Sequence, residues 1–460
     1  MHTSGVQRSI VLAVLFTTLV ASQMVAGCAI EVAGSALDAT ATVTDAAVAD
    51  ATGTDVDANM QEVELCMPLP LACTGASPAT SEHVLVTADQ CSFGLTPWSS
   101  SAISKRLVLN DALVAASSGL VTVPQILGDL NYQGSVGITQ NNANRLTNHD
   151  WRGFRWNGGD NGVSYWYPQG ITGSSDAYPD GQVGGRDVIM ASWYHKTEDR
   201  PTKGVRISVA DVTDIADVDY RNMLLVEATG TPDNINFKSV ETSSGDALHA
   251  GGIVWWGRYL YVVDTTGGLR VFDLDRIMRV TNSDDTSRIG ISVGRFDAHG
   301  YSYMVPELMR YQLAADSCDL RFSFVGVDRS SSPPALITGE YKSDEITGRI
   351  VAWDIDSTTG LLIARSDTVR PSAAYVSGQT KMQGATRLDG NLYISSSSQA
   401  GSFGRLYRTR PGFGESSISA WVYGAEDLYV ERSRNMIWTA AEHPGNRDVV
   451  GIPIRLPEVP

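Results

Sequence analysis

One pattern recurs along the C-terminal part of the chain and limits its fold more than any other feature. A polar residue and a glycine open a strand; a tight turn, a second strand, a Gly turn and a third strand follow. Residues 249–274 (HAGGIVWWGRYLYVVDTTGGLRVFDL) carry it most plainly, and residues 382–409 (MQGATRLDGNLYISSSSQAGSFGRLYRT) and 425–454 (AEDLYVERSRNMIWTAAEHPGNRDVVGIPI) repeat it. An earlier, longer unit opens at Pro168 (PQGITGSSDA) and continues through RDVIMASWYH and GVRISVADV. A fifth, more divergent, opens at Pro306-Glu307 and runs through RFSFVGVD, ALITGEY and GRIVAWDID. From about Trp151 onward, aromatic and β-branched runs alternate with Gly, Asp, Ser and Asn turns, and no long helical periodicity intervenes. Each unit reads as an antiparallel meander of three or four strands, a sheet that buries its faces only against neighbours. Stacking such sheets gives an all-β fold, a β-propeller. Five units are visible, and RLVLND and GLVTV within residues 105–150 offer strands for one more. Five or six blades over residues 105–460 are therefore expected. The constant order of polar residue, glycine, strand and turn argues against a β-sandwich.

The N-terminus carries a different signal. Arg8 is a short basic region, and residues 9–22 (SIVLAVLFTTLVAS) form an apolar stretch too short to span a bilayer with these flanks. It runs into Val25-Ala26-Gly27-Cys28, which resembles the lipobox of bacterial lipoproteins. That resemblance implies a signal peptide over residues 1–27 and a lipid on Cys28. Its acyl chains would hold the protein on a membrane. No Asp follows Cys28, which by the same resemblance implies the outer membrane or cell surface.

Residues 28–64 read as an acidic, disordered tether. Between Glu31 and Glu64 there are eight acids and no aromatic residue, Lys, Arg or Pro, so the segment repels itself and lacks surface to bury. The formal charge of −16 is concentrated there: residues 105–460 hold 34 bases and 41 acids, leaving −7. The acidity is thus largely a tether property and excludes nucleic acid as a partner, because phosphate binding needs a basic face. No apolar stretch of about 18 residues lies beyond the N-terminus, which excludes a chain of many membrane helices.

With Cys28 lipidated, Cys66, Cys73, Cys91 and Cys318 remain. An even count in an oxidising compartment suggests two disulfides, with three connectivities open. Cys318 lies far from the other three, so at least one bridge would pin the Cys-containing segment, residues 65–104, to the propeller. None of the closely spaced cysteines has the C-x-x-C spacing of a zinc or redox site.

The strings WNGGDNGVSYWYPQGITGSSDA, HAGGIVWWGRYLYVVDTTGGLRVFDL, MQGA, GRLYR and EHPGNR resemble a group of uncharacterised secreted bacterial proteins over roughly residues 150–455. The resemblance implies a secreted propeller and no particular chemistry. More loosely, the hairpin DIDSTTGLL (residues 354–362) is similar to strand ends in lactonase- and strictosidine-synthase-like propellers.

In a propeller the first strand of each blade lines the axis, and ligands meet the channel mouth at the start of those strands. The opening polar residues of the five units are Gln169, His249, Glu307, Gln383 and the pair Glu426/Asp427. The repeat therefore gathers scattered positions into one expected ring. Its carboxylates, amides and imidazole could bind a sugar, a polar polymer or a metal such as Ca²⁺. His249 with Glu426 or Asp427 could supply acid–base chemistry. The plainer reading is a mouth lined with polar groups for solubility.

Weaker candidates have structural readings. Gly290-Ile291-Ser292-Val293-Gly294 matches G-x-S-x-G, but no helix follows the Ser, as a nucleophile elbow requires. Glu442-His443 puts two chemically able groups in EHPGNR, a string that reads first as a turn. Trp151, Trp156, Trp166 and Tyr167 could stack on sugars, or fill the core between blades. Two functions follow from different classes. One is a surface-anchored propeller that binds an extracellular polysaccharide, peptide or protein. The other is an extracellular hydrolase or lyase of lactonase, cyclase or polysaccharide-lyase type that uses the ring. An open aromatic face and a plugged channel would favour binding.

Overall fold

Short β-branched and aromatic runs separated by tight Gly turns close into hairpins, because each run has an unpaired edge that its neighbour can satisfy. The computed structural model describes residues 73, 75–196, 202–280, 284–292, 294–397 and 402–454. All belong to the compact unit Glu64–Pro460. The expected signal peptide and tether, with Cys28 and Cys66, lie outside the described residues.

Strand β1 (Arg152–Arg155) comes first in the propeller but serves its last blade. Blade 1 consists of β2 (Trp166–Gly173), β3 (Val188–His195), β4 (Val205–Asp211) and β5 (Asp219–Thr231). Blade 2 is β6 (Ile253–Trp256), β7 (Tyr259–Asp264), β8 (Gly268–Asp273) and β9 (Tyr303–Leu313). In blade 3, β10 (Phe324–Asp328) leads to β11 (Ala335–Gly339), β12 (Arg349–Asp354) and β13 (Ala373–Val376). Blade 4 is β14 (Met382–Leu388), β15 (Asn391–Ser396), β16 (Arg405–Thr409) and β17 (Ser417–Ala420). Blade 5 combines β18 (Tyr429–Glu431), β19 (Met436–Ala440) and β20 (Asp448–Pro453) with β1 as its fourth strand, and Ser135–Val136 pairs on the far side of β1. The two ends of the propeller chain thus share one sheet, which closes the circle.

The inner strands meet in sequence order. From blade 1 to blade 2, the Trp255 N–H donates to Thr172 Oγ1 at 2.9 Å. Gly252 lies so close to blade 3 that a Cβ there would stand 2.2 Å from Val325 N, and one on Gly326 would stand 2.2 Å from Ala385 O of blade 4. No side chain fits at either point, and the glycines beside the opening Gln169 and Gln383 are hemmed in likewise, a Cβ on Gly170 standing 2.7 Å from Ile253 N and one on Gly384 2.6 Å from the Asp427 Cα. Between blades 3 and 4, β10 and β14 pair in parallel at Asp328 and Arg387. Gln383 Nε2 reaches Glu426 Oε1 of blade 5 at 3.1 Å, and the Ile171 N–H reaches Asp427 Oδ2 at 3.3 Å. The ring closes after five. The protein is a five-bladed β-propeller.

Most apolar clusters lie between blades. One joins Val254, Tyr261 and Val271 of blade 2 to Val325, Leu336 and Trp353 of blade 3. Another packs Trp166 and Trp193 of blade 1 on Tyr429 and Trp438 of blade 5. Trp156 and Trp166 are buried in that cluster, so two of the four aromatic residues considered for stacking are core.

Residues 105–150 do not make a sixth blade. RLVLND falls inside helix α1 (Ser100–Ala116), and GLVTV divides between a two-residue strand and helix α2 (Val123–Leu127). The start signals were local. Ser99 accepts from the Ala102 N–H at 3.2 Å, and Thr122 with Gln125 makes a capping box ahead of Pro124. Ile103, Leu107, Leu113 and Val114 recur at helical spacing and pack on the body. Helix α1 covers the seam where β5 and β9 pair in parallel, and Asn110 Nδ2 donates to the Glu307 carbonyl there at 3.0 Å. An N-terminal element thereby shields outer strand edges that would otherwise be open.

The divergent unit also begins elsewhere than the repeat suggested. Pro306-Glu307 lies in β9, the outer strand of blade 2, and the inner strand of blade 3 is β10. The long excursion between β8 and β9 hides the fourth strand of blade 2, so that strand reads as an opening one.

Cys73 and Cys318 form a disulfide with Cα atoms 5.9 Å apart across 245 residues of sequence. Cys91 is disulfide-bonded too. The segment they belong to also adds strands to the outer edges of blades 3 and 2, through Val86–Thr87 and Leu95–Pro97.

Candidate functional site

The inner strands run in the same direction: Ile171 and Thr172 approach Ile253 and Trp255, while Ile171 and Ser175 reach Asp427 and Tyr429. Residues that open them therefore share one end of the axis, here the mouth. Turns between second and third strands reach the same end.

Gln169, at the start of blade 1, is buried; its Nε2 donates to Glu442 Oε2 at 3.2 Å and to the Pro168 carbonyl at 2.9 Å. Its Oε1 is buried without a hydrogen-bond partner. Gln383, at the start of blade 4, donates to Glu426 of blade 5. The mouth thus holds two amide–carboxyl pairs, Gln169 with Glu442 and Gln383 with Glu426. Blade 5 brings both acids together: the Glu426 N–H donates to the Ala440 carbonyl at 3.0 Å, and the Glu442 N–H to the Gly424 carbonyl at 3.0 Å. They are cross-strand neighbours at one end of a sheet. Burial, then the nearby Glu442 charge, pushes the Glu426 carboxyl well above the usual carboxylate range. A neutral Glu426 can donate a hydrogen bond or a proton at neutral pH.

His249 sits on the rim with its ring centroid 4.5 Å from that of Tyr194. It is solvent-exposed yet surrounded by protein, and desolvation, followed by the Lys196 charge, lowers its pKa to about 4. The imidazole is therefore neutral at physiological pH and able to accept as well as donate. Arg447 is buried behind the rim. Its Nε donates to the Glu442 carbonyl at 2.9 Å and its Nη1 to the Asp160 carbonyl at 2.6 Å, while its guanidinium lies 5.1 Å from the Tyr167 ring centroid. It fixes the turn that carries Glu442.

Asp427 lies deeper. It is buried, and Oδ2 accepts from the Ile171 N–H at 3.3 Å and the Ile253 N–H at 3.2 Å. One carboxyl thus ties blade 5 to blades 1 and 2 at the axis. Desolvation raises its pKa well above the carboxylate range despite those hydrogen bonds. Its position suits pinning the strands, unlike the rim position expected from the repeat.

Glu307 does not join the ring. On the outer strand of blade 2 it is buried against Arg310, which donates to both carboxylate oxygens, and stands 3.7 Å from Arg270 Nη1. An acid so paired neutralises buried guanidinium groups at the blade edge. Glu442, by contrast, lies beside the expected ring, although its turn, with two chemically able groups, reads first as a structural one. Its sequence clue was position: EHPGNR links the second and third strands of blade 5, and that class of turn faces the mouth.

The G-x-S-x-G match lies far from this geometry. Ile289–Ser292 and Arg295–Ala298 form a two-stranded hairpin, and Ser292 is exposed at its turn. Among the described residues no group of three or more His, Cys, Asp and Glu side chains is placed to hold a metal ion. No helix among them is long and apolar enough to cross a membrane.

The opposite end of the axis is closed. A short helix, Ser174–Ala177, follows β2 and packs on the inner strands of blades 2 and 5. Arg329 of blade 3 stacks 3.7 Å from the Trp256 ring centroid and donates to the carbonyls of Asp176 and Ala177. Arg432 donates to the Tyr178 carbonyl at 3.0 Å, and the Tyr429 hydroxyl accepts from the Ser175 N–H at 3.1 Å. Asp176, inside this plug, is buried and bonded to Thr172 Oγ1 at 2.8 Å; desolvation raises its pKa to about 7.

Fold and site together define a five-bladed propeller with one plugged end and one polar mouth. No family model and no curated protein matches the chain. Among solved structures it is similar to a gluconolactonase from Xanthomonas campestris at 11% identity, covering 73% of this chain and 88% of that one, with a TM-score of 0.28. A GH43_1 enzyme from Xanthomonas citri complexed with xylotriose is similar at 7% identity, covering 64% and 90%, with a TM-score of 0.29. Kuenenia stuttgartiensis hydrazine synthase shows 9% identity over 61% and 75%, with a TM-score of 0.27. Likeness at this level says nothing of this chain's chemistry, and the blade order stands on its own strand pairing.

Proposed function

We propose that the protein is a surface-anchored binding propeller whose mouth takes a neutral, polyhydroxylated part of an extracellular ligand, in the first instance a saccharide. The observation that carries this reading is the pair of amide–carboxyl contacts, Gln169 with Glu442 and Gln383 with Glu426, around a neutral Glu426 and a neutral His249. Amides, an uncharged carboxyl and an uncharged imidazole each offer both donors and acceptors, which is what hydroxyl groups require. Tyr167 and Tyr194, with ring centroids 5.7 Å apart beside the rim, supply apolar faces for sugar rings. The plugged lower end favours capture over passage through the axis.

Calorimetry against a panel of oligosaccharides tests the reading. Glu426→Gln and Gln383→Ala should each weaken binding about tenfold or more, the effect of losing one good hydrogen bond to a buried partner. Unchanged affinity in both variants would overturn it. Anchoring is proposed through lipidated Cys28, the residue that ends the lipobox-like string. Cys28→Ser should abolish fatty-acid labelling and release the protein from membranes; membrane retention of an unlabelled variant would refute the anchor.

A second reading is favoured by one observation, the raised pKa of Glu426 beside Glu442. A carboxyl kept neutral beside a second acid can serve as general acid while its neighbour serves as base. Here Glu426 would protonate a leaving oxygen and Glu442 would activate water. Product release from a glycan or lactone panel, abolished by Glu426→Gln, distinguishes this hydrolytic reading from binding alone.

A further inference from the structure

A cavity opens at the same end of the molecule as the mouth, beside blade 4. It measures about 520 Å³ and is lined by Arg145, Lys381 and Arg405 together with Ser, Thr and aromatic side chains, including Phe403 and Tyr407. Its lining contains no carboxylate. None of the three cations makes an ion pair or a side-chain hydrogen bond among the described residues, and Arg145 Nε is buried without a partner. Several buried arginines elsewhere are paired closely, Arg206 with Asp160 at 2.8 Å, Arg270 with Asp264 at 2.8 Å and Arg349 with Glu340 at 2.7 Å, while buried Arg447 is held by the Glu442 and Asp160 carbonyls.

Three positive charges with no ion pair among the described residues, Arg405 exposed and Arg145 and Lys381 partly buried, repel one another, and an anion placed among them relieves that repulsion. The propeller region itself is acidic, at −7 over residues 105–460, so this concentration of positive charge runs against the local average. A structural role would call for a nearby acid, and the lining has none. The size suits a small ligand rather than a single ion.

The cavity also adjoins the mouth. Lys381 precedes Met382, which opens β14, and Gln383 of the amide–carboxyl pair follows directly. A path of aromatic groups continues from it: Phe403 lies 6.5 Å from Tyr423 between ring centroids, and Tyr423 lies 4.5 Å from His443, next to Glu442. Phe403 is itself covered by Arg145, whose guanidinium is 5.5 Å from its centroid.

The geometry points to an anion subsite that extends the mouth: the ligand is an acidic saccharide whose carboxylate or sulfate group is held by Arg145, Lys381 and Arg405. The inference rests on the saccharide reading of the mouth and names its substrate class. Arg forks match a carboxylate or sulfate in two-point contact, and Lys adds a point charge. The aromatic side chains offer faces to the sugar ring that bears the anion.

The test is calorimetry on the intact protein with three oligosaccharides of equal length: a trigalacturonide, a sulfated trisaccharide and a neutral maltotriose. Wild type should prefer an anionic ligand by about tenfold or more, with the preference shrinking as salt rises. K381Q/R405Q should remove that preference and leave the weaker maltotriose affinity unchanged. Its melting temperature should match the wild type, because neither side chain has a partner to lose. Preference for uronate over sulfate, or the reverse, identifies the source of the anion. Anion preference that survives K381Q/R405Q overturns the subsite. Equal affinity for all three ligands, lowered by Glu426→Gln, overturns the subsite and leaves the mouth standing. Absence of binding by any of the three removes both.

Discussion

The two ends of the propeller axis each hold buried acids, but they use them oppositely. At the closed end Asp176 has Arg329 and Arg432 near it, a hydroxyl bonded to its carboxylate, and a helix whose carbonyls those arginines occupy. Polar groups there find partners within the protein. At the mouth Glu426 has another acid beside it and an amide as its hydrogen-bond partner, while Gln169 Oε1 and Asp427 Oδ1 are buried without partners. Groups left over after folding can be satisfied by a ligand. Burial raises the pKa at both ends, but the Asp176 carboxyl is bonded to Thr172 Oγ1 while Gln169 Oε1 and Asp427 Oδ1 have no partner.

The largest expected effect tests the plug. The folded pKa of Asp176, about 7, lies above the unfolded value near 3.8. Its contribution to stability is therefore fully present below about pH 4 and is lost as pH rises through 7. Three units correspond to about 4 kcal/mol for a fully buried group. Asp176→Asn keeps the shape without the titration. Denaturant unfolding should find the variant gaining on wild type between pH 4 and 7, then holding a constant lead. A stability difference independent of pH would show that Asp176 has the same pKa in the plug as in the unfolded chain, and the contrast between the ends would fail.

Asp427 tests whether the floor of the mouth belongs with the plug or with the rim. Asp427→Ala strands the Ile171 and Ile253 N–H groups in a water-poor site, at a cost of about 3 kcal/mol. Asp427→Asn retains an acceptor and should lose less than half of that. A loss below about 0.5 kcal/mol for the alanine variant would place Asp427 among surface groups and return it to the ring of ligand contacts.

How much of this was legible in the sequence depends on whether local pattern or long-range pairing decided the outcome. Gln169, Gln383 and Glu426 open inner strands, as the repeat of polar residue and glycine implied, because the glycine is forced by backbone contact between blades and therefore marks the axis. Glu307 misled because an insertion separates β8 from β9, and a detached fourth strand looks like a first one. RLVLND misled for another reason. Its apolar residues fit a strand in isolation, while the Ser99 cap and the seam between β5 and β9 favour a helix. Glu442 could not be found by motif, since its role comes from a turn meeting Gln169 across 273 residues. The basic cavity was likewise hidden, because Arg145, Lys381 and Arg405 are scattered in sequence and gathered only by the closed circle.

The smallest expected effect on stability belongs to the rim, and it sharpens the contrast most. His249 is solvent-exposed and its clearest neighbour is the Tyr194 ring, so His249→Ala should change stability by less than about 0.5 kcal/mol. Its lowered pKa nonetheless predicts a pH signature. The folded value, about 4, lies below the ordinary 6.5, so any stability tied to the neutral imidazole is present above 6.5 and lost as pH falls through 4. Exposure screens that contribution and keeps it small. Saccharide affinity should therefore hold level from pH 8 to about 5 and weaken only nearer 4, when the imidazole takes a proton beside Lys196. Titration of the His249 ring protons by NMR gives the value directly. A midpoint between 6 and 7 would mean that the surrounding protein does not desolvate the imidazole, and the rim would then be ordinary polar surface instead of a preorganised neutral site.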